Sequence, residues 1–402
     1  MGGGAAPRAR DLRLDFFRGI GMFIILIAHV TDNPWTLWIP ARFGFSDATE
    51  MFVFCSGMAS AIAFGGVYAR AGWALGTLRI LYRMWQVYWV HIGVFFAALV
   101  LLLSIDTLDI SPRNEVNALN LRVFLRNPAE ALPGLFTLTY VPNYFDILPM
   151  YLVILGMIPV MMALARVDVR LALAASAGLW LANALAGLGL PAELWFDPPS
   201  QRVWFFNPFA WQLVFFTGFA FMAGWLPAPP VRRSLVLLAV AVVLLTVPFA
   251  WYKLIRLLPF VQEWRRDWSV LIDKTNYGLL RHVHFLALAY LAWVAVGPGG
   301  ARLVAVPWLA PMVRLIVQVG QQSLAVFATS MVLARGLGAV LAAYGYSPAA
   351  TLAVNLAGFA AITGAALLVA LVKREPWKRP ARPPAAAAAG EPAHVPGAVQ
   401  GA

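Results

Sequence analysis

The chain is 402 residues long, 61% of them hydrophobic and 12% charged, with a formal net charge of +12. Soluble domains carry about 25% charged residues, so half the usual charge is missing and a soluble enzyme is excluded. The basic residues are scattered between apolar runs rather than gathered on one face, which argues against nucleic acid as a partner. The single cysteine, Cys55, lies inside an apolar run, and one thiol excludes an internal disulfide.

The N-terminus, Met1–Arg13, is rich in Gly, Ala and Arg, and Phe16–Val30 follows without a small-residue cleavage site. That pattern predicts a retained first span rather than a signal peptide. Apolar runs then recur at a length of roughly 18–20 residues, enough to cross about 30 Å of hydrocarbon. They predict spans near 16–31, 47–65, 84–104, 147–165, 171–189, 209–226, 234–251, 281–297, 313–334 and 349–372. The expected architecture is all-α: a polytopic membrane protein of about ten transmembrane helices over 16–372. A cytoplasmic segment, 1–15, precedes it. From 373 to 402 the chain is Pro, Ala and basic, too poor in apolar residues for a core, and is expected to be a disordered cytoplasmic tail.

Alternate connections divide by charge. One set holds Arg8, Arg10, Arg13, Arg70, Arg79, Arg83, Arg166, Arg170, Arg232, Arg233, Arg302 and the Lys373–Arg382 cluster. The other mixes signs, as in Asp106, Asp109, Arg113 and Glu115, then Glu193, Asp197 and Arg202, then Glu263, Arg265, Arg266 and Asp267. The positive-inside rule puts the first set and both termini in the cytoplasm. No internal repeat supports a symmetric transporter. The outer connections near 105–146, 190–208 and 252–280 are long and aromatic. Trp195–Pro199 and Trp204–Pro208 read equally as interface anchors or as a vestibule wall that stacks a sugar ring.

Ionisable residues inside a bilayer are costly and mark function by default. In the first span Arg18 and His29 are eleven residues apart, about 16 Å of rise and roughly 20° beyond three turns. They share one helix face, which fits a cavity running through the membrane. Read blandly, Arg18 is a snorkelling anchor and His29 an interface histidine. Asp47 and Glu50 open the second span at i,i+3, at the expected depth of His29. A carboxylate beside an imidazole raises its basicity and fixes its tautomer. Ser46-Asp47-Ala48-Thr49-Glu50 also resembles a capping box.

Further along, Arg79 and Arg83 stand at i,i+4 where the third span begins. They fit a phosphate clamp near Arg18 and equally fit ordinary positive-inside residues. His91, Gln322 and Ser323 read as interhelical hydrogen-bonding groups. The eighth span opens with Arg281, His282 and His284 after Asp273-Lys274-Thr275-Asn276. His282 and His284 point about 200° apart on a helix, so they do not chelate one ion, and no metal site is expected. No Walker loop, dinucleotide fingerprint or nucleophile elbow is present.

Arg10–Gly19 followed by Ala28-His29, and then Phe43–Gly57, resemble the OpgC family, which adds succinyl groups to osmoregulated periplasmic glucans. The likeness continues at Arg83–Tyr88, His91, Asp146–Pro149, Asn207–Gln212, Asp273–Thr275, His284–Ala287 and Gln322–Leu324. The wider membrane acyltransferase-3 group, to which OpgC is related, marks its first span with an arginine and a histidine eleven positions on, as Arg18 and His29 are. An acid precedes that histidine in the group, whereas Ala28 does so here.

The resemblance implies a bacterial inner-membrane O-acyltransferase with no permanently bound cofactor. Acyl-CoA, succinyl-CoA first among the candidates, is the implied donor, and a periplasmic glucan hydroxyl is the acceptor. Arg18, Arg79 and Arg83 are then expected to meet the phosphates of CoA. His29, oriented by Glu50, is expected to act as general base. Asp47, Lys274, Arg281, His284 and Ser323 are expected on the acyl and acceptor side, holding the oxyanion or a carboxylate. Cys55, Ser56 and Ser323 are spare nucleophiles. Another acyl group, another exported polysaccharide, or transport of an anionic solute stay open, as does the oligomeric state.

Overall fold

The structure is a computed structural model that describes residues 11–190, 192 and 202–378. Expectations for Arg8, Arg10, Glu193, Trp195–Pro199 and the tail beyond 378 lie outside the described residues. Within them the protein is all-α, with helices throughout and no strand.

Helix α1 spans Leu12–His29, four residues ahead of the expected start, because Asp11 caps it and accepts from the Arg13 amide at 3.0 Å. Helix α2, Ala48–Ser60, begins at a capping box. The Asp47 side chain accepts from the Thr49 amide at 2.7 Å, and Glu50 accepts from the Asp47 amide at 2.8 Å. A π-helical turn, Ala61–Gly65, carries it into α3, Gly66–Thr107. Straight, 60 residues would run about 90 Å, three times the ~30 Å of a bilayer core. The run breaks at Gly72, whose φ of +80° is left-handed and suits glycine. On either side of the break the Tyr68 ring fills the space beside Gly76, and its hydroxyl meets Thr77 Oγ1 at 3.1 Å.

The remaining long helices are α4, Ile147–Val167; α5, Val169–Ala186; α6, Pro208–Ala223; α7, Arg233–Ala250; α8, Leu279–Val296; α9, Ala310–Gln321; α10, Ser323–Tyr344; and α11, Pro348–Lys373. Among the described residues, seven helical segments are long and apolar enough to cross a membrane. One of these is the bent pair α2–α3. Helix α6, with 16 residues, is a shorter apolar helix, and α1 carries Arg13, Asp15 and Arg18 in its first two turns. This is a polytopic membrane protein.

One span boundary needs correction. The expected ninth span, 313–334, is two helices, because the chain breaks at Gln322. Helix α9 has 12 residues, about 18 Å, too short to cross. The full-length helix is α10, which runs ten residues beyond the expected end. The connections near 105–146 and 252–280 hold short helices, at Glu115–Ala118, Arg122–Arg126, Pro128–Thr137, Tyr252–Leu257 and Pro259–Asp267.

Glycines set the closest helix contacts. A Cβ on Gly57 of α2 would overlap the Phe215 carbonyl of α6, and one on Gly218 of α6 would overlap the Phe54 carbonyl of α2. Gly19 of α1 and Gly320 of α9 make the same reciprocal fit with Ile316 and Asp15. Such small residues let backbones approach where no hydrophobic force separates helix from lipid. Helix α7, by contrast, buries little beyond Ala239 and packs mainly on α8.

Candidate functional site

A cavity of about 590 Å³ opens at one end of the bundle. Its wall comes from the C-terminal end of α1 and from the residues just before α2, α4, α6 and α8. His29, Asp47, Tyr144, Asp146, Phe205, Phe206 and Lys274 line it, while Ile24, Phe52 and Phe327 lie deepest along their helices.

His29 closes α1. Its Nδ1 lies 2.7 Å from the Ile25 carbonyl oxygen. A carbonyl only accepts, so Nδ1 carries the proton, and in the neutral ring Nε2 keeps its lone pair. A backbone carbonyl one turn back therefore selects the tautomer. The expected partner, Glu50, does not. Glu50 is fully buried, and Arg281 donates to its Oε1 from Nε at 2.8 Å and from a terminal nitrogen at 2.5 Å. The other oxygen closes the capping box. Glu50 is thus committed to α8 and to its own helix start.

Asp47 is the carboxylate that shares the cavity with His29. Lys274 Nζ stands 2.5 Å from it, and Arg281 approaches the same carboxylate at 3.7 Å. The loop that carries Lys274 is fixed from several sides. Trp211 Nε1 donates to the Lys274 carbonyl at 2.9 Å, Trp180 Nε1 to the Tyr277 carbonyl at 3.0 Å, and the Asn207 amide to the Thr275 carbonyl at 3.1 Å. Asn276 joins Asn183 and Asn207 in a buried amide cluster. Lys274 also stands 5.7 and 5.6 Å from the Phe205 and Phe206 ring centroids. Its ammonium is positioned by structure rather than left to solvent.

Asp146 precedes α4 and accepts from the Phe205 amide at 2.8 Å, which holds the aromatic wall in place. Burial pushes its carboxyl up to about 6; the Phe205 N–H and the Arg202 charge offset only part of that.

The other expected residues fall outside the cavity wall. His284 sits beneath Gly44, with Nδ1 accepting from the Ser46 amide at 3.2 Å and facing the Ser46 hydroxyl at 2.7 Å. It ties the 43–46 loop to α8. Arg281 stands behind Asp47 and Glu50. Ser323, expected on the acceptor side, lies toward the opposite end, where its hydroxyl takes a hydrogen bond from Arg18. Asp15, Cys55, Tyr151 and Arg83 lie within electrostatic reach of Arg18, and its Nε has no partner. Arg83 bonds Gln86 at 3.1 Å, whereas Arg79 is exposed, 5.7 Å from the Tyr82 ring centroid. His91 is buried against Phe145, with Nε2 unpartnered.

About 16 Å of α1 separates Arg18 from His29. Phe327 of α10 is one turn from Ser323, and its ring stacks on Phe52 at 6.0 Å and 18°. This pair forms the cavity floor on the side of the Arg18–Ser323 contact.

Two residues escaped the sequence reading. Arg335 is buried in α10, donating to the His29 carbonyl at 2.8 Å and to Thr31 Oγ1 at 3.2 Å. Its guanidinium stands 4.3 Å from the centroid of Tyr144, whose ring meets the His29 ring edge-on at 5.5 Å. A lone cation inside an apolar run is the signal that would have found it, but the expected span ended at 334. Among the described residues no group of three or more His, Cys, Asp or Glu side chains is arranged to hold a metal ion.

A model of the family described as OpgC protein matches residues 10–374. No curated protein and no solved structure matches the chain. Because the family match runs from just before α1 to just past α11, the chain belongs to the OpgC protein family.

Proposed function

We propose that the protein is an inner-membrane O-acyltransferase that moves an acyl group, succinyl from succinyl-CoA, to a hydroxyl of a periplasmic glucan. Family membership supports the acyl-transfer class. The single observation that carries the mechanism is His29: its Nδ1–H is engaged by Ile25, so a lone pair on Nε2 is available at a cavity that also holds a fixed ammonium.

The charge partition between connections supports a periplasmic cavity, with Arg18 and Arg83 toward the cytoplasm. The phosphates of CoA then meet guanidinium groups inside, with Arg79 at the exposed edge. The thioester arm reaches the cavity past the Phe52–Phe327 pair. His29 Nε2 takes the proton of the glucan hydroxyl as its oxygen attacks the thioester carbonyl carbon. Lys274, at the cavity wall, faces the oxyanion of the tetrahedral intermediate or the free carboxylate of the succinyl group. Collapse breaks the carbon–sulfur bond, and the imidazolium returns its proton to the departing thiolate. The result is a glucan ester and free CoA, with no covalent enzyme intermediate.

Purified protein incubated with succinyl-CoA or acetyl-CoA and periplasmic glucan tests this, with the glucan mass and free thiol as readouts. Ester formation matched by thiol release is expected, with succinyl preferred. Glucan uptake or exchange without thioester consumption would make the protein a transporter instead.

A further inference from the structure

Tyr144 is oddly placed for a packing residue. Its φ is +71°, a left-handed conformation rare for a residue with a Cβ, and such strain persists only where surrounding structure enforces it. It is 49% exposed, yet it is not loose. The Arg335 guanidinium lies against its ring, and Arg335 is itself 4% exposed and anchored to the His29 carbonyl and the Thr31 hydroxyl. Burying a cation in the middle of an apolar helix is costly. Here that cation reaches the end of α1 that carries His29, and also the Tyr144 ring, which meets His29 edge-on at 5.5 Å.

We infer that Tyr144 is the acceptor-positioning residue, that it presents an aromatic face to a sugar ring of the acceptor beside His29, and that Arg335 holds it there. The inference rests on the acyl-transfer reading above. The chemistry follows from the ring quadrupole: aromatic faces are electron-rich, and the C–H bonds on one face of a pyranose carry the complementary positive edge. With one face against the guanidinium, the ring turns its remaining surface to the cavity. A sugar seated on it brings a hydroxyl toward Nε2. Arg335 touches no reacting atom in this arrangement and is a positioning residue, acting through the Tyr144 ring and the end of α1.

The test separates acceptor from donor. Tyr144→Leu, Tyr144→Phe and Arg335→Met are assayed with glucan and acyl-CoA varied independently. In parallel, Tyr144→Cys is labelled by a maleimide with and without glucan, in the absence of donor; the buried Cys55 gives little background. Tyr144→Leu is expected to raise the acceptor KM about threefold to tenfold, the range of an aromatic contact, with the donor KM unchanged. Tyr144→Phe, which keeps the ring but not the hydroxyl's bond with Arg335, loses clearly less than Tyr144→Leu. Arg335→Met raises the acceptor KM as Tyr144→Leu does, and in the double variant that KM rises no further, any added loss through the end of α1 falling on kcat. Glucan slows labelling of the introduced cysteine. An unchanged acceptor KM in Tyr144→Leu, an equal loss in Tyr144→Phe, or labelling indifferent to glucan would each overturn the inference. Absence of acyl transfer by the wild-type protein would instead sink the underlying reading, whatever the labelling shows.

Discussion

Glu50 and Arg281 are joined by two hydrogen bonds, 2.8 and 2.5 Å, between two side chains that are 0% and 9% exposed. Such a pair gains little over well-packed apolar residues, but removing one member strands a charge at a cost of about 3–5 kcal/mol. Glu50→Gln and Arg281→Met are therefore expected to lower the thermal midpoint in detergent markedly. The double variant Glu50→Gln/Arg281→Met should recover part of the loss. Equal midpoints for wild type and Glu50→Gln would show that the pair does not hold α2 to α8.

Asp146 gives the protein a pH signature. Its carboxyl sits at about 6 in the fold, against an ordinary value of about 3.9 when unfolded. The folded state therefore binds more protons between these values. Its contribution is fully present below pH 4 and is lost as pH rises through 6. Over that window wild type should lose roughly 2–3 kcal/mol relative to Asp146→Asn, which keeps an oxygen for the Phe205 amide. Parallel midpoints for the two proteins from pH 4 to 7 would contradict the assignment.

The inner arginines should separate by burial. Arg18 is half-buried and bonded to Ser323, Arg83 is half-buried within its reach, and Arg79 is exposed. A hydrogen bond to a charged group is worth about 1.5–3 kcal/mol. Arg18→Ala and Arg83→Ala should thus raise the KM for acyl-CoA about tenfold to a hundredfold, and Arg79→Ala by less, with the acceptor KM steady. Unchanged donor KM in all three would reduce them to orientation signals.

Much of this was legible in the sequence, and the gaps have physical causes. Apolar run length showed the helices, because a bilayer demands about 20 apolar residues whatever the packing. The shared face of Arg18 and His29 followed from helical geometry alone. Asp47 and Glu50 were read as neighbours, which they are, but spacing does not say that one closes the capping box and pairs with Arg281 rather than His29. Arg335 was lost because the expected span, 313–334, ran across the break at Gln322 and so ended one residue short of that arginine. Tyr144 owes its position to a left-handed backbone that its residue type disfavours.

Orientation is open to direct measurement. Single cysteines at Asp109 and Arg266 should react with an impermeant maleimide added to sealed cells, and one at Arg233 should not. All three positions are exposed. Reaction at Arg233 alone would invert the topology and move the His29 cavity to the cytoplasm.

The central claim is that His29 Nε2 is the base for acyl transfer. A positioned base contributes about 10²–10⁴-fold. The decisive measurement is the rate of glucan ester formation from succinyl-CoA by purified wild type and His29→Ala, scored by mass, with acyl-CoA binding measured alongside. The rate should fall by that factor while donor binding and thermal midpoint hold. Ester formation by His29→Ala within about tenfold of wild type, below the range of a general base, would contradict the account.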